Sequence, residues 1–232
     1  ITAPRLLLFQ RFSSVGADAL VRPTTTEQVS QIMAACHAAG RAVVVHGGMS
    51  GWVRATQTRP GEIALSLERM NCIEHVDPAN RTAIVQAGVI LETFQDHLQQ
   101  FGLMFPLDLG GRGSCQLGGN AATNAGGMRV LRYGMMREQV LGVEAVLADG
   151  RIVSSLNRML KNNTGYDLKQ LFIGTEGSLG VITRLVLRLR EQPTSSNTAL
   201  VCAERFSQIA DLLRHMDGAL GGLLSAFELI DN

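Results

Sequence analysis

Between Pro106 and Gly127 the chain reads PLDLGGRGSCQLGGNAATNAGG, residue types suited to holding a ligand against backbone amides. Seven of these 22 residues are glycine, and glycine takes up positive φ and lets another group come into contact with the main chain. Ser114, Asn120, Thr123 and Asn124 interleave with the doublets Gly110-Gly111, Gly118-Gly119 and Gly126-Gly127. Small polar side chains in such places fix turns or hydrogen-bond a ligand. The stretch is almost uncharged, which suits a large polar cofactor gripped by main-chain dipoles. A loop this long without its own secondary structure is uncommon in a compact domain unless it is functional or disordered. Apolar residues before, within and after it argue against disorder. Asn120 to Asn124 reads as a short helix whose N-terminus would serve an anion or a carbonyl oxygen.

Two further glycine motifs belong to the same chemistry. His46-Gly47-Gly48-Met49-Ser50-Gly51 follows the β-branched run Ala42 to Val45, and Gly174-Thr175-Glu176-Gly177-Ser178-Leu179-Gly180 leads into Val181 to Leu189. A strand running straight into a glycine turn is an arrangement in which amides face a phosphate. Other chemistries find little support. There is no Gly-Lys pair for a Walker loop and no G-x-G-x-x-G. Gly48-Met49-Ser50-Gly51 is one residue short of a hydrolase elbow. The five histidines are isolated and none has metal-ligand spacing, so no metal is expected; His46, beside a glycine turn, is the one of interest. Arg129, Arg132 and Arg137 form a local basic group, read as a solvated face.

The elements that must position these turns follow from patterning. Ala19 to Arg22 is a first strand; Thr24 with Glu27 has capping-box spacing, and a helix follows to Ala39 with Gly40 as its stop. Ala42 to Val45 reads as a buried strand and Glu62 to Leu67 as another. Ile73 to Asp77 and Thr82 to Gln86 flank the turn Asp77-Pro78-Ala79-Asn80 and form a hairpin. Leu91 to Phe101 has helical spacing and ends at Gly102; Val140 to Ala148 and Ile152 to Ser154 make a second hairpin. Leu168 to Phe172 is one helical turn. After a polar linker at 191–197 the chain reads as strand, helix (Phe206 to Met216), glycine turn and strand.

The 232 residues suffice for one large or two small domains. A composition of 46% hydrophobic and 18% charged residues describes an α/β-type protein, and a net charge of +1 argues against nucleic acid as the main partner. No apolar run reaches the roughly 18 residues of a membrane span. Four scattered cysteines suggest a reducing compartment without a disulfide framework or zinc site, and a cytoplasmic location is expected. With no initiator Met, Ile1 reads as the start of a piece of a longer chain.

Several blocks together resemble the vanillyl-alcohol-oxidase type, or PCMH-type, FAD-binding domain. They are Pro106-Leu107-Asp108, Gly113-Ser114-Cys115, Gly118-Gly119-Asn120, Ala122 to Gly127, Asn163 to Leu168, and Gly174 to Thr183. Within that type the chain is most similar to FAD-linked dehydrogenases of D-2-hydroxy acids, and Lys161 to Thr183 resembles the D-2-hydroxyglutarate enzymes in particular. The resemblance implies roles position by position. Gly47, Gly48, Met49, Ser50 and Gly51 correspond to the loop that binds the FAD pyrophosphate through amides. Pro106 and Asp108, Gly113 and Ser114, Gly118, Gly119 and Asn120, Thr123 and Asn124, and Gly126 and Gly127 belong along the ribityl chain and isoalloxazine edge. Glu176, Gly177, Gly180, Val181 and Ile182 complete the adenine and pyrophosphate side. Covalent members often carry His after the first glycine pair; Met49 stands here, so non-covalent FAD is expected. Two departures are Met49, where Asn or Thr is usual, and Arg54-Ala55, where a second glycine pair is usual.

The resemblance therefore implies an α+β, two-subdomain PCMH-type fold. FAD is expected to be clasped between residues 1–67 and 68–190, ahead of the start of a C-terminal substrate domain at 198–232. The expected activity is oxidation of a D-2-hydroxy acid (D-lactate, glycolate or D-2-hydroxyglutarate) to the 2-oxo acid, with an electron-transfer flavoprotein or quinone as acceptor. Catalytic residues are expected beyond residue 232, so this stretch alone should be inactive. The alternatives are a free-standing FAD-binding subunit and a module that has lost flavin binding.

Overall fold

A computed structural model describes residues 16–230; the first fifteen residues of the expected first subdomain lie outside the described part. The fold is α+β. Its first layer is a parallel three-stranded sheet in the order β1-β3-β2, from Ala19–Val21, Ile63–Ser66 and Val43–His46. Helix α1, Thr26–Ala38, connects β1 to β2. Thr25 rather than Thr24 caps it: the Thr25 hydroxyl accepts from the Gln28 amide at 3.2 Å, while the Thr24 amide donates to the Gln28 side chain. The expected stop is correct, since Gly40 sits at φ 60°. β2 is half-buried along most of its length rather than buried, because it is an edge strand of its sheet.

The second layer is an antiparallel sheet in the order β4-β5-β9-β7-β8, from Ile73–Asp77, Thr82–Gln86, Val181–Arg188, Val140–Val146 and Ile152–Ser155. Both expected hairpins, β4-β5 and β7-β8, are present. The central strand β9 is buried at six of eight positions, as expected of a strand covered on both faces. Helix α2, Leu91–Gln99, places Leu91, Phe94 and Leu98 in the core beneath this sheet, where the Phe94 and Phe105 rings lie 5.5 Å apart. β6, Leu103–Met104, pairs with β10, Arg190–Glu191, so the start of the expected polar linker is strand.

A second, smaller core joins the layers. It combines Val29 of α1, Leu65 of β3, and Leu67 and Met70 with Ala87, Val146 and Val181 of the larger sheet. Polar bonds cross the same junction: the Thr26 hydroxyl donates to the buried Glu144 carboxylate at 2.7 Å, and Ser30 donates to the Gly150 carbonyl at 2.6 Å. The glycine-rich stretch is less irregular than its composition implies, since Leu117–Ala122 forms helix α3. Val130–Tyr133 and Met136–Gln139 form the short helices α4 and α5. The last helix, α6, spans Phe206–Leu220 and buries none of its residues. The strands expected on either side of it are absent from the described residues; an apolar run becomes a strand only against a hydrogen-bonding neighbour, and none of the described strands pairs with these segments.

Candidate functional site

Three turns meet where the two layers face each other. The first, Gly47 to Gly51, leaves the end of β2. It can lie against the second turn because Gly48 has no side chain: a Cβ there would stand 1.9 Å from the Ser114 carbonyl oxygen. The second turn enters α3 through Cys115 and Gln116, and α3 is pressed onto the larger sheet at Gly118, where a Cβ would stand 2.4 Å from that of Ala87. The third, Gly174 to Gly180, is pinned to α3 by the Gly174 amide donating to Ala121 at 3.0 Å and the Glu176 amide donating to Ala122 at 2.8 Å.

The helix expected at Asn120 to Asn124 begins earlier, and its N-terminus is not free for an anion. The Leu117 amide donates to Val89 and the Gly118 amide to Ala87, at 2.9 and 2.7 Å. Those amides anchor α3 to the sheet, a task that spacing in the sequence does not display.

Between the turns lie two adjoining cavities of ≈ 430 and ≈ 140 Å³ that share Val45, Ala55, Glu176 and Gly177 as walls. Gly47, Gly48, Met49, Ser50 and Gly51 line the second, as do Gly118, Gly119, Asn120, Thr123, Gly180, Val181 and Ile182. Among the described residues, Glu176 is the only charged one lining either cavity. A diphosphate there would be met by neutral amides and small side chains rather than by arginine or lysine. Met49 and Glu176 hold φ of 54° and 53°, a conformation uncommon for residues other than glycine and a mark of functional turns.

Seven expected site residues do not line the cavities. Pro106 is buried beside Phe105 and Leu107, whose carbonyls accept from the Gln95 amide at 3.1 and 2.7 Å. Asp108 pairs with Arg129 at 3.3 Å and Arg112 at 3.5 Å. Gly127 packs on the Asp108 backbone, where a Cβ would stand 1.7 Å from the carbonyl oxygen. Gly113 approaches the Glu92 carboxylate, Ser114 donates to Gly111 at 3.3 Å, and Gly126 lies beside Met135 and Val130. Asn124 accepts from the Arg137 amide at 2.9 Å. The structure thus assigns much of the 106–127 stretch to holding its own shape.

The basic group is a solvated face only in part: Arg132 is exposed, but Arg137 is turned to internal partners. Arg137 donates to the Gln170 carbonyl at 3.1 Å and to the Ile173 carbonyl at 2.5 Å, and also to the Gln170 side chain. It thereby fixes the approach to the third turn. Arg129 joins Asp108, and Arg132 stacks over Tyr133 at 5.1 Å. His46 is buried, with Nε2 2.9 Å from the Thr56 carbonyl; burial lowers its pKa from the ordinary 6.5, with the Thr56 bond opposing. It braces the loop after the first turn.

Sequence reasoning missed Val43, Val44, Val45, Val53, Ala55, Thr56 and Leu67 as lining residues, and took in Cys115, Gln116 and Ala122 only as members of the 114–127 loop without singling them out. Cys115 closes the block Gly113-Ser114-Cys115 and Gln116 follows it directly, and that position was the available signal. Burial raises the Cys115 thiol pKa.

Residues 17–155 match the family described as FAD binding domain. The chain is 45% identical over 216 residues to the mitochondrial D-2-hydroxyglutarate dehydrogenase of Danio rerio, and 44% identical over 216 residues to that of Bos taurus. Each alignment covers 93% of this chain and 40% of the relative, so the chain spans about two fifths of their length. An alkyldihydroxyacetonephosphate synthase has the same fold, with a TM-score of 0.68 at 24% identity over 76% of this chain and 32% of that one. Both relatives are named as mitochondrial, and the expectation of a cytoplasmic location is overturned by that finding.

Proposed function

The chain belongs to the family of FAD binding domains, and on that premise we propose that it is the flavin-holding part of a dehydrogenase of D-2-hydroxy acids. The observation that carries the reading is the meeting of three separate glycine turns on one groove whose described lining holds small and apolar residues and no arginine or lysine. The 45% identity to a D-2-hydroxyglutarate dehydrogenase supports the substrate class. D-2-hydroxyglutarate is the first candidate, with D-lactate and glycolate as smaller members of the class.

Bound FAD supplies the hydride acceptor for C2 of the hydroxy acid. Amides of Gly47 to Gly51 and of the third turn would hold the diphosphate, while the packed walls of Val45, Leu67 and Val181 would keep water from it. From the 106–127 stretch, the cavity-lining part between Cys115 and Thr123 would form the rim along the ribityl chain and ring. Met49, with an unreactive thioether, leaves the flavin non-covalent. The division into subdomains at 67/68 falls between β3 and β4, where the chain leaves one sheet for the other. Groups that bind the hydroxy acid and take its proton would come from the part of the relatives this chain does not cover. A mitochondrial location, and an electron-transfer flavoprotein or quinone as acceptor, complete the proposal.

The test is the visible spectrum of the full-length protein. Flavin bands that bleach on anaerobic addition of D-2-hydroxyglutarate, D-lactate or glycolate are expected, with retention of flavin but no bleaching by residues 1–232 alone. A full-length protein that stays colourless after incubation with FAD would refute the reading.

A further inference from the structure

Four buried side-chain polar atoms among the described residues lack a hydrogen-bond partner: Thr82 Oγ1, Gln139 Oε1, Arg190 Nε and Gln116 Oε1. Of their four residues, Gln116 alone lines the groove between the turns. It is 7% exposed, and its backbone leaves it little freedom to turn away. Its carbonyl accepts the Asn120 amide at 2.9 Å, Cys115 before it accepts the Leu91 amide at 3.0 Å, and Leu117 after it donates to Val89. The side-chain oxygen lies 3.7 Å from the place a Cβ on Gly47 would occupy, so it points at the base of the first turn. A buried acceptor without a partner costs stability that a ligand donor can restore.

We propose that Gln116 is a positioning residue for the nucleotide: its side-chain oxygen accepts a hydrogen bond from a hydroxyl or ring N–H of bound FAD. The inference rests on the flavin reading above. An acceptor has nothing to offer a diphosphate, which at neutral pH carries only acceptor oxygens. Gln116 thus sets the register of the nucleotide, placing a donor-bearing portion, sugar, ribityl chain or ring, at the junction of Gly47 and α3. The amides of Gly48 to Gly51 are left for the phosphates.

The experiment compares full-length wild type with Gln116→Met, which keeps length and burial but removes the oxygen. It measures FAD affinity by flavin fluorescence and apoprotein melting temperature by circular dichroism. Affinity is expected to fall about tenfold, the scale of one lost hydrogen bond that leaves its partner unpaired. The apoprotein is expected to melt at the same temperature or higher, because an unpartnered buried oxygen has been replaced by an apolar group. Unchanged affinity would overturn the assignment while leaving the flavin reading intact. An apoprotein that melts lower, or does not fold, would also overturn it, since the oxygen would then have an internal partner. A wild type that binds no FAD removes the flavin reading and the assignment together.

Discussion

At single residues, the site depends on backbones approaching more closely than side chains allow. Gly48 shows this best, since a methyl group there would overlap the Ser114 carbonyl at 1.9 Å and crowd the Cys115 Cα at 2.8 Å. Neither is the end of a flexible chain, so the turn itself would have to move. Gly48→Ala is therefore expected to cost about 3 kcal/mol of stability, the upper range for overpacking, and to weaken FAD binding by more than tenfold. Thermal unfolding and flavin titration check both effects, and a variant that matches wild type in both would show that the two turns are not in register as described. Sequence identifies Gly48 as part of a turn but not what it touches. Asp108 illustrates the converse: its block belongs to the resemblance, yet its carboxylate is spent on Arg112 and Arg129, contacts made by the folding of the loop back on itself.

Among elements, the third turn is a ligand wall only because something fixes it. Two amides tie it to α3, and Arg137 holds the carbonyls of Gln170 and Ile173 just before it. Removing that guanidinium leaves these groups to water or to nothing, at a cost of about 2 kcal/mol for hydrogen bonds to a charged donor. Arg137→Ala is expected to speed amide hydrogen exchange across 170–178 while leaving β5 and β9 protected. Uniform exchange across the protein would contradict a local clasp. How much of this is legible beforehand differs by element. The helix ending at Gly40, the two hairpins, α2 and β9 follow from apolar period and turn residues. The glycine loop conceals where α3 begins rather than the helix itself, because its first turn contains two glycines and is anchored on Val89 and Ala87. Arg137 reads as an exposed cation because nothing local reveals carbonyls more than thirty residues away. The strands expected around α6 are apolar runs without a pairing partner among the described residues.

On the scale of the whole molecule, the groove exists because two sheets of different construction are held together through a shared core. The smaller core that holds them contains residues from both: Leu65 at the centre of the parallel sheet, Val146 and Val181 paired at one end of the antiparallel one. Above it Glu144 accepts from Thr26 and Thr183 and lies 3.6 Å from Arg184, which Glu74 also binds. That network neutralises a buried carboxylate while tying α1 to β9. A shared core of this kind predicts that the layers melt together. Leu65→Ala, at a position with no exposed surface, should lower stability by about 2–5 kcal/mol, the range for deleting a buried leucine side chain. Far-ultraviolet circular dichroism and flavin release should then shift by the same amount in one transition. If the ellipticity of the larger sheet persisted after the flavin had left, the layers would be independent units and the groove a contact between them. A single coincident transition would make the groove a property of the joined fold, lost whenever either sheet is lost.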